Sequence, residues 1–249
     1  MQKSEYPFQE QLNASHQTIN QYHHYVNIPL IKWIKHPPHR LVDVGCAAGI
    51  LGDVIKSKYN GVYVVGIEPN PFVAKFARQY LDVVISEKFE SIDLKHYNIP
   101  LNSFDTAILS DVIEHVYNPW EMMIKLKSWL APNAQVLMSV PNIRNFHVMA
   151  DLFCNGQFQY QSQGLMDVTH IRFFTKQTIC QLLKDTGYQL CDIKPIIDET
   201  CLSIYNQSKS SPIMDIELGQ ISIKNIQAEE IEEFCTRQFF IHAEPISMP

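Results

Sequence analysis

Two histidines stand where a proton could be drawn from an acceptor near neutral pH. His115 lies in Glu114-His115-Val116-Tyr117-Asn118-Pro119, and His170 in Asp167-Val168-Thr169-His170-Ile171-Arg172-Phe173-Phe174. Imidazole changes charge between pH 5 and 8, so either ring can serve a hydroxyl nucleophile as general base once it comes within hydrogen-bond reach. Arg172 adds a permanent positive charge beside His170. Each candidate also has a structural use. Glu114 and His115 can pin a loop, and the second stretch can lock itself through a His170–carbonyl bond and an Arg172–Asp167 pair, with Phe173 and Phe174 entering the core. Asp111, Glu114 and His115 follow an i, i+3, i+4 spacing. No HExxH pattern or second carboxylate cluster accompanies them, so no metal is expected.

A second set of residues reads as a ligand loop. The run Leu41-Val42-Asp43-Val44 breaks into Gly45-Cys46-Ala47-Ala48-Gly49, in a chain with only 9 glycines. A dinucleotide fingerprint needs glycine where Ala47 and Ile50 stand, and there is no GxxxxGK[ST] loop, so neither a pyrophosphate nor a triphosphate is cradled here. Glu68, at the end of the next apolar run, can accept both ribose hydroxyls. The implied ligand is an adenosine without a pyrophosphate.

The elements that must position these residues alternate between strand-like and helix-like runs. Strands are expected at Leu41–Val44, Val62–Ile67, Val83–Ile85, Phe104–Leu109, Gln135–Val140, Tyr188–Ile197 and Arg237–Ala243. Helices are expected at Ile50–Ser57, from Pro71 to Gln79, at Pro119–Leu130 with Trp120, Met123 and Leu126 facing inward, and from Thr175 to about Thr186. This order predicts an α/β fold, a doubly wound and mostly parallel sheet with helices on both faces. Residues 1–39 read as a helical cover, with Tyr22, His23, His24 and Tyr25 as a cover face or a lid. Residues 40–249 form the domain proper, with a polar, aromatic insertion at about 142–174 and a variable segment at about 200–235. In the latter, Ser208–Pro212 is loop-like and Gln227–Phe234 begins a helix. Asn142, Arg144 and Asn145 can orient a substrate or cap the next helix.

LVDVGCAAG, then GIEPN, FDTAILSDVIEHVYNP and LAPNAQVLMSVPN together resemble the class I S-adenosylmethionine-dependent methyltransferases. The similarity is greatest to the branch with ubiquinone-biosynthesis O-methyltransferases and glycan-associated methyltransferases, the latter through GLMDVTHIRFFT. The resemblance implies a seven-stranded sheet of order 3-2-1-4-5-7-6, its last strand antiparallel. It also implies S-adenosylmethionine as cofactor. Asp43, Gly45, Cys46, Ala47 and Gly49 would surround the methionine part, Glu68 and Pro69 the ribose, and Lys88 and Phe89 the adenine, with Glu87 as the displaced acid. Ser110 and Asp111 would face the cofactor from the fourth strand. The family's middle glycine is Ala47 here.

The expected activity is methyl transfer to a hydroxyl of a small molecule or of a sugar or glycan precursor. Carboxyl or small-aromatic methylation and a non-catalytic cofactor-binding accessory role are the alternatives. The net charge of -6 argues against nucleic acid as a partner, because a phosphate backbone selects basic surfaces. No run is long and apolar enough for a membrane span, and the six cysteines show no pairing or zinc spacing. These observations predict a cytoplasmic protein with free thiols. A homodimer is left open.

Overall fold

A computed structural model describes residues 7–12, 26–211 and 213–246. The strands are β1 (Arg40–Val44), β2 (Tyr63–Ile67), β3 (Val83–Ile85), β4 (Phe104–Ser110), β5 (Leu130–Pro141), β6 (Tyr188–Ile197), β7 (Ile213–Leu218), β8 (Ile221–Gln227) and β9 (Thr236–Pro245). The helices are α1 (Gln9–Leu12), α2 (Ile28–Ile31), α3 (Ile50–Lys58), α4 (Pro71–Ala77), α5 (Pro119–Lys127), α6 (Phe146–Cys154), α7 (Lys176–Asp185), α8 (Leu202–Ser208) and α9 (Ala228–Cys235). Seven strands form one sheet in the order β3-β2-β1-β4-β5-β9-β6. The first five run parallel, and β9 is antiparallel to both neighbours. This is the expected Rossmann-like arrangement. The strand inserted beside β5 is the ninth in the chain because a separate hairpin, β7-β8, precedes it.

The pleat divides the core. Val42, Val44, Val65, Ile67, Leu109 and Met138 share one face with Met122, Met123 and Leu126 of α5 and Ile179, Leu182 and Leu183 of α7. Leu41, Val64, Ile108 and Leu137 point the other way, against α2 and against Leu51 and Ile55 of α3. Strands covered on both faces read as continuous apolar runs, which is why they were visible in the sequence. A third cluster, including Phe146, Ile216, Ile226, Ile231 and Phe234, fills the space under the hairpin.

Helix starts follow local chemistry. Asn118 caps α5 by accepting from the Glu121 N–H, with Pro119 at the first turn. Thr175 and Thr178 form a reciprocal capping box on α7. Asn145 caps α6 through the His147 N–H at 3.0 Å. Pro132 and Asn133 form an exposed kink, Asn133 at φ 62°, within β5 rather than before it.

Several expectations change. Trp120 does not enter the core and is 44% exposed, whereas Trp129, just past α5, is buried. The first turn of α5 aims position 120 at solvent while Met122, Met123 and Leu126 face the sheet. The variable segment is not simply loop followed by helix. It folds as α8, the β7-β8 hairpin and α9. Of the expected N-terminal cover, only residues 7–12 and 26–39 fall among the described residues. Tyr22, His23, His24 and Tyr25 lie outside them.

Candidate active site

The residues singled out for cofactor binding collect at the carboxyl edge of the central strands. Asp43 of β1 is in register with Gly66 of β2 and Ile108 of β4, so the loops after all three strands open on the same edge. In such sheets this edge is where ligands bind. The Gly45 and Cys46 N–H groups both donate to the Ile67 carbonyl, at 2.9 and 3.0 Å, and tie the loop to β2. Gly45, Ala47 and Gly49 all adopt positive φ, at 73°, 46° and 84°. The alternating left-handed residues coil the loop tightly, and Ala47 holds a conformation that costs an L side chain roughly 1–2 kcal/mol. A Cβ at Gly49 would stand 2.8 Å from the Ala77 Cα, and one at Gly45 2.9 Å from Val112. The small residues are therefore required by close approach. The Cys46 side chain is buried over Gly66, and burial raises its thiol pKa.

Asp43 is 2% exposed and its Oδ2 has no hydrogen-bond partner among the described residues. Burial, and secondarily the charge of Glu68, push its carboxyl up to about 7. An orphaned buried oxygen is costly, and the α-ammonium of an amino-acid ligand would satisfy it. Glu68 is half-buried and accepts from the Asn70 N–H at 2.8 Å, with Pro69 exposed beside it. Ser110 Oγ lies 3.2 Å from Ser139 Oγ. Asp111 sits at φ 57° and accepts from Gln238. Its carboxyl is pushed up to about 6, chiefly by burial. These groups could hold an S-adenosyl ligand at both its amino-acid and ribose ends.

Phe89 turns inward and packs on Trp129, ring centroids 4.6 Å apart, with 6% of its surface exposed. Lys88 is exposed, and the Glu87 carboxylate accepts from the Tyr97 hydroxyl.

His115 and His170 are brought together, though far apart in sequence. Their ring centroids are 4.8 Å apart and their planes meet at 71°. His115 Nδ1 lies 3.2 Å from the Thr169 carbonyl oxygen, and His170 Nδ1 3.1 Å from that of Leu165. A carbonyl only accepts, so each Nδ1 carries the proton and each Nε2 a lone pair. Burial, with the neighbouring His170, lowers His115 to about 4, and burial also lowers His170. The two loops are zipped together because the Ile171 and Arg172 N–H groups both donate to the Glu114 carbonyl, at 2.9 and 3.0 Å.

Arg172 does not pair with Asp167. Its Nε donates to the Tyr117 carbonyl at 3.0 Å and its guanidinium covers the Tyr117 ring. Asp167 is instead taken by the Thr169 N–H and hydroxyl, which close a tight turn. Of the two phenylalanines, Phe174 is buried and Phe173 packs on Phe158 within the insertion. Asn142 and Arg144 serve structure: Asn142 donates to the Glu233 and Thr236 carbonyls, and Arg144 bridges Glu230 and Glu233.

Sequence reasoning set Glu114 aside as a loop pin, yet its carboxylate is buried with both oxygens unpartnered among the described residues. The pattern gave no sign of this, since a glutamate after an apolar strand ordinarily faces water. One donor atom from each of Glu114, His115 and His170 lie within 4.8 Å of one another, a grouping that could hold a metal ion. A cleft of ≈ 200 Å³ opens along the insertion, lined by Asn145, His147, Gln157, Gln161, Leu165 and Arg237 among others, and it meets the histidine pair only through Leu165, whose carbonyl lies 3.1 Å from His170 Nδ1.

This sheet order, with a tight small-residue loop after β1 and an acid ending β2, defines a class I, Rossmann-like methyltransferase. The methyltransferase-domain family profile matches residues 17–193, and the chain belongs to that family of S-adenosylmethionine-dependent enzymes. It is 28% identical over 181 residues to the ubiquinone biosynthesis O-methyltransferase of Paraburkholderia phymatum, covering 70% of this chain and 76% of that one. A match to the mitochondrial ubiquinone biosynthesis O-methyltransferase of Schizosaccharomyces pombe, 26% identical over 104 residues, covers 40% of this chain and spans only 37% of that protein. Among solved structures, an S-adenosylmethionine-dependent methyltransferase from Mesorhizobium loti superposes with a TM-score of 0.55 at 14% identity, covering 87% of this chain and 95% of that one. Among the described residues no two cysteines are joined in a disulfide, and no helix is long and apolar enough to cross a membrane.

Proposed function

We propose that the protein transfers the methyl group of S-adenosylmethionine to a hydroxyl of a small molecule, such as a sugar or glycan precursor. The observation that carries this reading is the facing pair His115 and His170, each with its Nδ1 committed to a carbonyl and its Nε2 lone pair available. Such lone pairs attract a hydroxyl hydrogen and make the oxygen more nucleophilic.

The cofactor brings the reactive methyl, and the protein contributes alignment. Asp43 takes the ammonium, the backbone of Gly45 to Gly49 lies against the methionine part, and Glu68 holds the ribose. Ser110 and Asp111 border the sulfur end. Arg172, fixed on Tyr117, keeps the wall carrying His170 in place. The segment at about 142–174 is the acceptor side, and its amide-lined cleft suits a ligand with several hydroxyls. The distant relatives named O-methyltransferases support oxygen as the accepting atom.

Turnover tests this reading. Labelled S-adenosylmethionine offered with nucleotide-sugars and small alcohols is expected to yield a labelled ether. Tight cofactor binding with no product across the panel would favour an accessory, non-catalytic role.

A further inference from the structure

We infer that His147, Asp198, Cys201 and Cys235 form a structural zinc site that fastens one wall of the cleft along the insertion. His147 lies in the first turn of α6, Asp198 and Cys201 belong to the turn after β6, and Cys235 ends α9. One donor atom from each of His147, Asp198 and Cys201 lie within 4.8 Å of one another, and His147 Nε2 is 4.0 Å from Cys201 Sγ. Cys235, fully buried, shares a hydrogen bond with the Cys201 thiol. Two sulfurs, an imidazole and a carboxylate make up a four-coordinate donor set of the kind zinc takes in structural sites. The thiolates select it over hard ions such as Mg²⁺ or Ca²⁺.

The backbone already brings these segments together. The Asp198 N–H donates to the Cys235 carbonyl at 2.8 Å, and the Cys201 N–H to that of Asp198 at 2.9 Å. Asn145 accepts from the His147 N–H and donates to the Thr236 carbonyl at 3.2 Å, which ties the histidine's helix to the residue after Cys235. At the centre stands the Thr200 hydroxyl. It donates to Asp198 Oδ1 at 2.6 Å, accepts from His147 Nε2 at 2.5 Å and lies 3.9 Å from Cys201 Sγ. An imidazole nitrogen, a carboxylate oxygen and a sulfur therefore converge on one point, the place of a cation. Thr200 is exposed, so its hydroxyl can turn to water as the ion enters.

Burial pushes both thiols up, Cys235 to about 12 with Cys201 as the second cause. The neighbouring thiols keep their protons until a cation replaces them, and binding releases those protons to solvent. The zinc ion takes no part in methyl transfer. It holds α6 to the turn after β6 and to α9 around the small core of Phe146, Ile216, Ile226, Ile231 and Phe234. His147 and Asp198 also line the cleft of ≈ 200 Å³, so the ion fixes two of its side chains. The sequence carried no zinc spacing because the ligands come from three segments, His147 standing 53 residues before Thr200 of the turn.

The test is titration of the full chain, under a non-thiol reductant, with CoCl₂, a substitute for zinc whose bonds to thiolate sulfur give a near-ultraviolet charge-transfer band. Cys201→Ser, Cys235→Ser, His147→Ala and Cys191→Ser are run alongside, and S-adenosylhomocysteine binding is measured on every protein as the check of folding. The expected result is one Co²⁺ per chain with the band present, and loss of the band when ZnCl₂ is added. The band is expected to fall by roughly half or more in Cys201→Ser and Cys235→Ser, and Co²⁺ affinity about tenfold or more in His147→Ala. Both should be unchanged in Cys191→Ser, whose thiol is exposed and outside the cluster. No band at saturating CoCl₂, or a band that stays whole in both Cys201→Ser and Cys235→Ser, would overturn the site. Should a cysteine variant fail to fold, undiminished affinity in His147→Ala, at an exposed position, would overturn it equally. Retained S-adenosylhomocysteine binding by the unmodified chain leaves the methyltransferase reading standing in either event.

Discussion

His115, from the loop after β4, meets His170, from the insertion after β5, edge to face with ring centroids 4.8 Å apart. Neither position alone distinguishes a working imidazole from a loop lock. Together they form one group of two imidazoles, each with its Nδ1 held by a main-chain carbonyl. His170→Ala is expected to lower turnover about 10²-fold or more while leaving S-adenosylhomocysteine affinity unchanged. Steady-state kinetics and calorimetry on the same preparation check this. A fall in folding stability that accounts for the whole loss of turnover would return His170 to a structural role.

Glu68→Ala is expected to weaken S-adenosylhomocysteine binding roughly 10- to 100-fold, the effect of losing charge-assisted hydrogen bonds to a diol. Folding stability, followed by urea denaturation, should fall less than binding does, since the half-buried carboxylate accepts from the Asn70 N–H of its own loop. Calorimetric titration decides it, and unchanged affinity would remove the ribose from β2.

Asp43 gives the cofactor site a pH signature. Its carboxyl is raised from 3.8 to about 7, first by burial and then by Glu68, so below pH 7 the free protein holds the proton. An ammonium ligand favours the ionised form, so binding below pH 7 must expel that proton. S-adenosylhomocysteine affinity should therefore rise from pH 6 to pH 8 and the profile should flatten in Asp43→Asn. The free protein shows the opposite trend in stability. The unfolded carboxyl ionises near 3.8 while the folded one keeps its proton to about 7, so this group's stabilising contribution is lost as pH rises through that window.

The loop after β1 contains a paired contrast. Gly49→Ala adds a Cβ 2.8 Å from the Ala77 Cα at φ +84° and is expected to destabilise the fold by about 2 kcal/mol or more. Ala47→Gly removes a left-handed alanine at φ 46° and should cost no stability. Urea denaturation of both variants measures the difference, and equal losses would contradict the loop geometry.

Much of the scaffold was legible because its strands are buried on both faces. Leu41–Val44 and Phe104–Leu109 announce themselves through unbroken apolar runs, and their order fixes the doubly wound sheet. The β7-β8 hairpin was missed although Ile221 and Ile223, and Met214 and Ile216, carry alternation around Gly219 and Gln220. The charged residues that alternate with them, Asp215, Glu217 and Lys224, mimic a solvated segment. The packing of Phe89 on Trp129 was hidden because that partner comes from beyond α5. The burial of Glu114 was hidden for the same reason: the insertion reaches its loop only in the folded chain, through the Ile171 and Arg172 N–H groups on the Glu114 carbonyl.

The most direct test of hydroxyl methylation uses S-adenosylmethionine carrying a ¹³C methyl group, offered with nucleotide-sugars and small alcohols and read by carbon–proton correlation NMR. The expected result is a methyl resonance in the methoxy region, formed by the unmodified chain and lost with His170→Ala. A methyl resonance in the N-methyl or methyl-ester region, or none in the presence of saturating cofactor, would contradict it.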